Sequence, residues 1–85
     1  MNENEIRVAV LGVLKGIAPE ADLETLDPDV EWQDQLDLDS INLLTFMVGI
    51  EEATGVAVSE RDYPKVATLN RCVEYLTNKL AARPV

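Results

Sequence analysis

Residues 36–52 read LDLDSINLLTFMVGIEE, and they change from an acidic segment into an apolar one at Ser40. Asp39 and Ser40 are both helix-capping residue types, because their side-chain oxygens accept hydrogen bonds from the free N–H groups of a first turn. The start of a helix also favours phosphate, since unpaired N–H groups and the positive end of the helix dipole meet there. The pattern predicts a helix over 40–54 with Ser40 at its start.

Ser40 lacks the partners that a catalytic serine needs. The chain contains no histidine, so a Ser-His-Asp arrangement is excluded. We therefore interpret Ser40 as a substrate, modified by another enzyme that brings its own base.

The residues around Ser40 resemble the acyl carrier protein family, whose members carry a 4'-phosphopantetheine arm on the serine of a Leu-Gly-x-Asp-Ser-[Leu/Ile/Met] motif. The matching positions are Leu36, Asp39, Ser40 and Ile41. The similarity continues beyond the motif, through an apolar helix, the pair Glu51-Glu52, the segment 55–59 and the segment 66–69. It covers nearly the whole chain.

This resemblance implies a function as a carrier. A separate phosphopantetheinyl transferase would move the arm from coenzyme A onto Ser40, and Asp39 would present that serine by capping the helix and contacting the transferase. The thiol of the arm would hold acyl or aminoacyl groups as thioesters, and pass them from a ligase to downstream transferases or synthases. The chain itself would not be an enzyme, and no catalytic residue is predicted.

Departures from the family pattern concern the choice of partner and cargo. Asp37 stands where the family commonly has glycine. Carriers of fatty acid synthesis usually bear several acids along this helix, whereas here Asn42, Thr45 and Gly49 occupy outward or mid-helix places and leave only Glu51 and Glu52 at its far end. A dedicated carrier of one pathway, with an amino-acid or unusual acyl cargo, fits at least as well as a fatty-acid carrier.

Length and composition indicate one small soluble domain, residues 1–85. The single cysteine excludes an intrachain disulfide and a CxxC metal site, which fits a reducing cytosol. Neither a bilayer-spanning stretch nor a signal peptide is evident, so we expect a cytoplasmic monomer that does not contact membrane.

Charge is concentrated in residues 18–39, which hold nine acids and no base, so this segment alone accounts for the net charge of −9. Such a field repels nucleic acid and attracts basic protein surfaces. A solvated loop that binds nothing is an equally weighted reading.

Apolar spacing predicts an all-α fold: a small four-helix bundle of three main helices and one short helix, with a long loop between helices one and two. Helix one spans 3–17, with Asn2 and Glu5 as a capping pair. Apolar residues of the loop should pin it to the core: Leu23, Leu26, Val30, Trp32 and Leu36. We expect Trp32 to be a core anchor rather than a binding platform.

The predicted helix 40–54 is apolar on two faces. Leu43, Phe46, Met47 and Ile50 share one face. The other carries a second set, called here the apolar stripe: Ile41, Leu44 and Val48. A small domain cannot easily bury both faces. We predict that the apolar stripe, with Glu51 and Glu52 beyond it, is a partner-binding surface. The alternative is that the loop or the short helix covers it.

The remaining elements follow from capping residues and breakers. Gly55 should end the second helix in a left-handed conformation, and Ser59 should cap a short helix over 60–64 that Pro64 closes. Thr68 should cap the last helix, on which Cys72 is predicted to be a buried, inert thiol. Residues 82–85 should fray.

Two further readings remain open. Asp27-x-Asp29-x-Glu31 suggests calcium binding, but an EF-hand counted from Asp27 places Trp32 and Leu38 where glycine and glutamate are required. Weak divalent binding by the acidic segment is a looser version of this reading. The other is a small helical interaction module, without prosthetic group, that uses the same apolar stripe.

Overall fold

A computed structural model describes residues 1–82. The helices are α1 (Glu3–Ile17), α2 (Trp32–Gln35), α3 (Ser40–Thr54), a 3-10 helix (Glu60–Val66) and α4 (Leu69–Ala81). No strand occurs in residues 1–82. The predicted all-α fold, with three main helices, a short one and a long connection before α3, is confirmed. Three of the residues expected to fray, 83–85, lie outside the described part of the chain.

Local capping explains where the main helices begin and end. Asn2 and Glu5 form a reciprocal capping box: the Asn2 side chain accepts from the Glu5 N–H at 2.8 Å, and the Glu5 carboxylate accepts from the Asn2 N–H at 3.0 Å. The Thr68 hydroxyl accepts from the Arg71 N–H at 3.1 Å at the start of α4. Gly55 ends α3 with a φ of 76°, a conformation that glycine adopts without steric cost. These predicted ends are confirmed.

The short helix differs from its prediction. It is a 3-10 helix that runs through Pro64 to Val66, and the Ser59 side chain makes no capping bond. Pro64 fits in this helix because the fixed φ of proline lies within the 3-10 range. Its missing N–H removes one hydrogen bond but does not end the helix. The one-turn helix α2 was not predicted either, and it interrupts the expected loop.

The core lies where α1, α3 and α4 meet. Its largest fully buried side chains are Trp32, Phe46, Ile6, Leu14, Ile50 and Leu76. The rings of Trp32 and Phe46 meet edge to face, with centroids 5.2 Å apart. Trp32 is therefore the core anchor that the sequence predicted. The other apolar loop residues, Leu23, Leu26, Val30 and Leu36, are half-buried.

Hydrogen bonds attach the segment around α2 to the end of the 3-10 helix and to the first turn of α4. The Trp32 indole Nε1 donates to the Val66 carbonyl at 2.7 Å. The Asn70 backbone N–H donates to the Pro28 carbonyl at 3.0 Å, and its side-chain amide donates to Asp29 at 2.7 Å. These bonds hold the end of the acidic segment in a defined place ahead of α3. Within residues 1–82, no helix is both long enough and apolar enough to cross a membrane.

Candidate functional site

Asp39 caps α3 and sets the position of Ser40. The Asp39 carboxylate accepts from the Asn42 N–H at 2.8 Å, and the Asn42 side-chain oxygen accepts from the Asp39 N–H at 3.4 Å. The capping role predicted for Asp39 is confirmed. Sequence reasoning missed the contribution of Asn42, although the Asp-x-x-Asn spacing places it at the position that closes a capping box.

Ser40 is the first residue of α3 and its side chain is exposed. Among residues 1–82, the backbone N–H groups of Ser40 and Ile41 have no protein acceptor. They belong to the first turn, where the helix dipole is positive. An anion attached to the Ser40 hydroxyl would therefore meet free donors, and a phosphodiester fits these surroundings.

The charged residues near Ser40 in the sequence are all acidic. Residues 16–60 contain no lysine, arginine or histidine. Asp37 and Asp39 beside the serine are exposed, as are all nine acids of residues 18–39. Basic groups that approach Ser40 must therefore come from outside this segment.

The apolar stripe is exposed to solvent. The exposed fractions are 74% for Ile41, 56% for Leu44 and 47% for Val48, whereas Phe46 on the opposite face is fully buried. The predicted facing of α3 is confirmed, and the alternative that the loop or the short helix covers the stripe is wrong. Glu51 and Glu52 are exposed at the far end of the helix.

A partly open cavity of about 190 Å³ lies between α2, α3 and the 3-10 helix. Its lining includes Trp32, Leu43, Met47, Tyr63 and Val66. Sequence reasoning assigned the first three to the core and did not foresee a cavity among them. The apolar pattern gave no signal for it, because a residue that lines a gap and a residue that fills one have the same periodicity.

Other chemically active side chains lie apart from Ser40. Burial raises the pKa of Cys72 to about 12, which keeps its thiol protonated at neutral pH. Asp27, Asp29 and Glu31 are exposed, and the described residues hold no group of three or more metal-ligating Cys, His, Asp or Glu side chains. The Asp27 carboxylate instead accepts from the Asp29 N–H at 2.9 Å, a local turn interaction.

Comparison with known proteins gives an independent indication of family. A family model described as a phosphopantetheine attachment site matches residues 6–76. An acyl carrier protein of Renibacterium salmoninarum is 33% identical over 66 residues, which cover 78% of this chain and 76% of that protein. An acyl carrier protein of Desulforapulum autotrophicum is 27% identical over 77 residues, which cover 91% of this chain and 95% of that protein. An acyl carrier protein of Thermosynechococcus vestitus is 26% identical over 82 residues, which cover 96% of this chain and the full length of that protein.

Proposed function

This chain belongs to the acyl carrier protein family, and we propose that Ser40 is the residue to which its 4'-phosphopantetheine is attached. The observation that carries this assignment is the exposed serine at the capped start of α3, with two free backbone N–H groups beside it. When bound, the arm supplies a thiol that holds an acyl group as a thioester.

The chemistry of attachment assigns a passive role to the chain. The Ser40 oxygen forms a bond to the phosphorus that carries the pantetheine in coenzyme A, and adenosine 3',5'-bisphosphate leaves. The proton of the hydroxyl passes to a base of the transferase, since the chain has no histidine to accept it. The carrier therefore contributes an accessible nucleophile and its position, and catalyses no step.

Asp39 is proposed as the positioning residue. Its carboxylate accepts from the Asn42 N–H at 2.8 Å, which supports a structural role for it at the start of the helix. It fixes the first turn of α3 and thereby the direction in which Ser40 projects. Its exposed side lies against any transferase that approaches the serine.

The apolar stripe with Glu51 and Glu52 is proposed as the docking surface for the transferase, a ligase and downstream enzymes. Exposed apolar groups are available there for contact, and residues 16–60 offer no cation. A partner that presents apolar groups ringed by lysine or arginine would match both properties. We propose that the chain works as a single carrier domain, residues 1–85, in the cytoplasm as a monomer.

Loading with coenzyme A tests the attachment site. The apo protein, incubated with coenzyme A, magnesium and a broad-specificity phosphopantetheinyl transferase, should gain the mass of one phosphopantetheine. The chain offers a matched control, because its only other serine is Ser59, which is also exposed. Ser40→Ala should abolish the mass gain, and Ser59→Ala should leave it unchanged. Loading of the Ser40→Ala protein would overturn the assignment of the site, and failure of the wild-type protein to load would favour an interaction module without prosthetic group.

A further inference from the structure

The basic residues of the described chain are concentrated in the 3-10 helix and α4. Of the six lysines and arginines in residues 1–82, four lie between residues 61 and 79, and all four are exposed: Arg61, Lys65, Arg71 and Lys79. The same stretch holds two acids, so four bases against two acids give it a positive charge on a chain whose net charge is −9. A basic surface on so acidic a chain indicates a role that differs from that of residues 18–39.

An open groove of about 410 Å³ lies between the end of the 3-10 helix and one face of α4. Pro64 and Lys65 line it on the side of the 3-10 helix. On the side of α4 it is lined by four residues whose spacing places them on a single face: Arg71, Glu74, Tyr75 and Asn78. Within residues 1–82, its lining includes no residue of α3. The groove is therefore separate from Ser40 and from the apolar stripe.

Both cations of the groove are available to a partner. Arg71 takes part in neither of the two ion pairs found among residues 1–82. Lys65 is paired with Asp62 at 3.5 Å, but its side chain is 68% exposed, and ion pairs of that kind contribute little. Asp62 also accepts from the Tyr75 hydroxyl at 2.8 Å, which fixes the aromatic ring at the groove. New carboxylates can therefore bind Lys65 and Arg71 at small cost to the fold.

The chemistry of the groove defines the partner that it fits. A guanidinium binds a carboxylate through two parallel hydrogen bonds, an ammonium adds a second charged contact, and a tyrosine ring offers apolar surface. We propose that this groove is a second docking surface, which binds a short acidic segment of a partner protein through Lys65, Arg71 and Tyr75. Glu74 on the same wall limits the positive charge, so the segment should combine a few carboxylates with an apolar side chain.

Charge also argues against a long polyanion in the groove. A nucleic acid or an anionic membrane would extend beyond the groove and meet the rest of a chain whose net charge is −9. A short acidic segment meets only the local cations. Because the groove lies apart from α3, a partner held there would leave Ser40 and the apolar stripe free for another enzyme.

The test uses the apo full-length chain and two fluorescein-labelled peptides of equal size. The acidic probe is Glu-Asp-Phe-Glu-Asp-Leu, and the neutral probe replaces Glu by Gln and Asp by Asn. Fluorescence anisotropy at low salt measures both dissociation constants. The acidic probe should bind about fivefold tighter or more, and sodium chloride should reduce this difference. Since the whole chain repels anions, such a preference requires a local cationic surface. Equal binding of the two probes, or tighter binding of the neutral one, would overturn the proposal.

Variants of single cations separate the groove from the net charge of the chain. Lys65→Gln and Arg71→Gln should each weaken binding of the acidic probe about two- to fivefold, the range of exposed ion pairs. Lys15→Gln is the matched control, because Lys15 is also an exposed lysine but does not line the groove. It should leave the dissociation constant unchanged. All three side chains are exposed, so folding should be unaffected. Equal weakening by Lys15→Gln and Lys65→Gln would overturn the proposal.

Amide chemical shifts locate the bound probe. In nitrogen-15-labelled protein titrated with the acidic probe, the largest changes should fall on Lys65, Arg71 and Tyr75, whereas Ile41 and Leu44 should not move. Changes confined to α3 would overturn the proposal. Concentration-dependent changes at the groove without any probe would assign it to a second copy of the chain, and tighter binding of a labelled hexathymidylate would assign it to phosphodiesters. Either result would also overturn the proposal.

This inference does not rest on the attachment of an arm to Ser40. Binding is measured on the apo chain, and the groove residues lie outside α3. Failure of Ser40 to load would leave the binding results intact, and failure of the acidic probe to bind would leave the loading results intact.

Discussion

A Cβ atom on Gly49 would lie 2.5 Å from Cγ1 of Val13, closer than side-chain atoms approach in folded proteins. The two residues mark the point where α3 crosses α1, and the missing side chain at Gly49 makes the close approach possible. Val13 cannot easily turn aside, because β-branched residues in helices hold one strongly preferred χ1 rotamer. The close packing of α3 against α1 depends on this contact.

Gly49→Ala is predicted to destabilise the fold by about 1–3 kcal/mol, the usual cost of overpacking. Urea denaturation of the two proteins measures the difference. Gly12→Ala is the matched control, because that helical glycine has open space where a Cβ would lie. It should stabilise α1 by about 0.5–1 kcal/mol. The double variant Gly49→Ala with Val13→Ala should recover part of the loss, and an unaffected Gly49→Ala protein would show that α1 and α3 adjust freely.

Leu44→Ala and Phe46→Ala should have opposite effects. Phe46 is fully buried, so its truncation should cost about 3–5 kcal/mol of unfolding free energy. Leu44 is 56% exposed, so its truncation should change stability by no more than about 0.5 kcal/mol. Loading by the transferase or the cognate ligase should instead slow, because an interface anchor is lost. Paired denaturation and loading assays check this. Normal loading of the Leu44→Ala protein would place the docking surface elsewhere.

Cys72 should resist alkylation in the folded protein. Because the pKa of Cys72 is about 12, almost no reactive thiolate is present at pH 8. Because the side chain is completely buried, iodoacetamide cannot reach it. In the loaded protein the arm thiol should therefore be the only site that reacts, and Cys72 should react once the chain is unfolded in guanidinium. Mass spectrometry after tryptic digestion distinguishes the two thiols. Rapid alkylation of Cys72 in native protein would contradict the burial.

Tyr75→Phe should raise the pKa of Asp62. The Tyr75 hydroxyl donates to the Asp62 carboxylate at 2.8 Å, and this bond is the main cause that holds the pKa of Asp62 below its ordinary value of 3.8. A carboxyl whose pKa is lowered by folding adds stability above its unfolded pKa, and that stability is lost as the pH falls through the folded pKa. The variant should therefore lose less stability on acidification below about pH 4. NMR titration of Asp62 measures the shift, with Tyr63→Phe as control.

Salt and divalent cations should raise the melting temperature. The nine acids of residues 18–39 are all exposed, and the ion pairs found among residues 1–82, Arg7–Glu3 and Lys65–Asp62, do not involve them. Their mutual repulsion in the compact state is therefore screened only by solvent and ions. Thermal melts in moderate sodium chloride and in millimolar magnesium or calcium check this. An unchanged melting temperature in all three would mean that the repulsion is negligible.

Local sequence was sufficient to predict the main helix boundaries and the facing of α3. The capping pair Asn2 and Glu5, the N-cap residues Asp39 and Thr68, and Gly55 act through bonds or dihedrals within a few residues, so their effect is readable from spacing alone. The two apolar faces of α3 followed from periodicity together with the small size of the chain. The same reasoning identified the serine at the start of the helix.

Tertiary packing determined what lies far apart in the sequence. The indole of Trp32 bonds to the Val66 carbonyl, 34 residues away, and that partner cannot be inferred from either segment alone. The contact of Gly49 with Val13 and the cavity lined by Trp32 arise only when α1, α2, α3 and the 3-10 helix come together. Periodicity predicts which side of a helix is apolar. The distance between two packed helices, and the space left between them, depend on the sizes of side chains from distant parts of the chain.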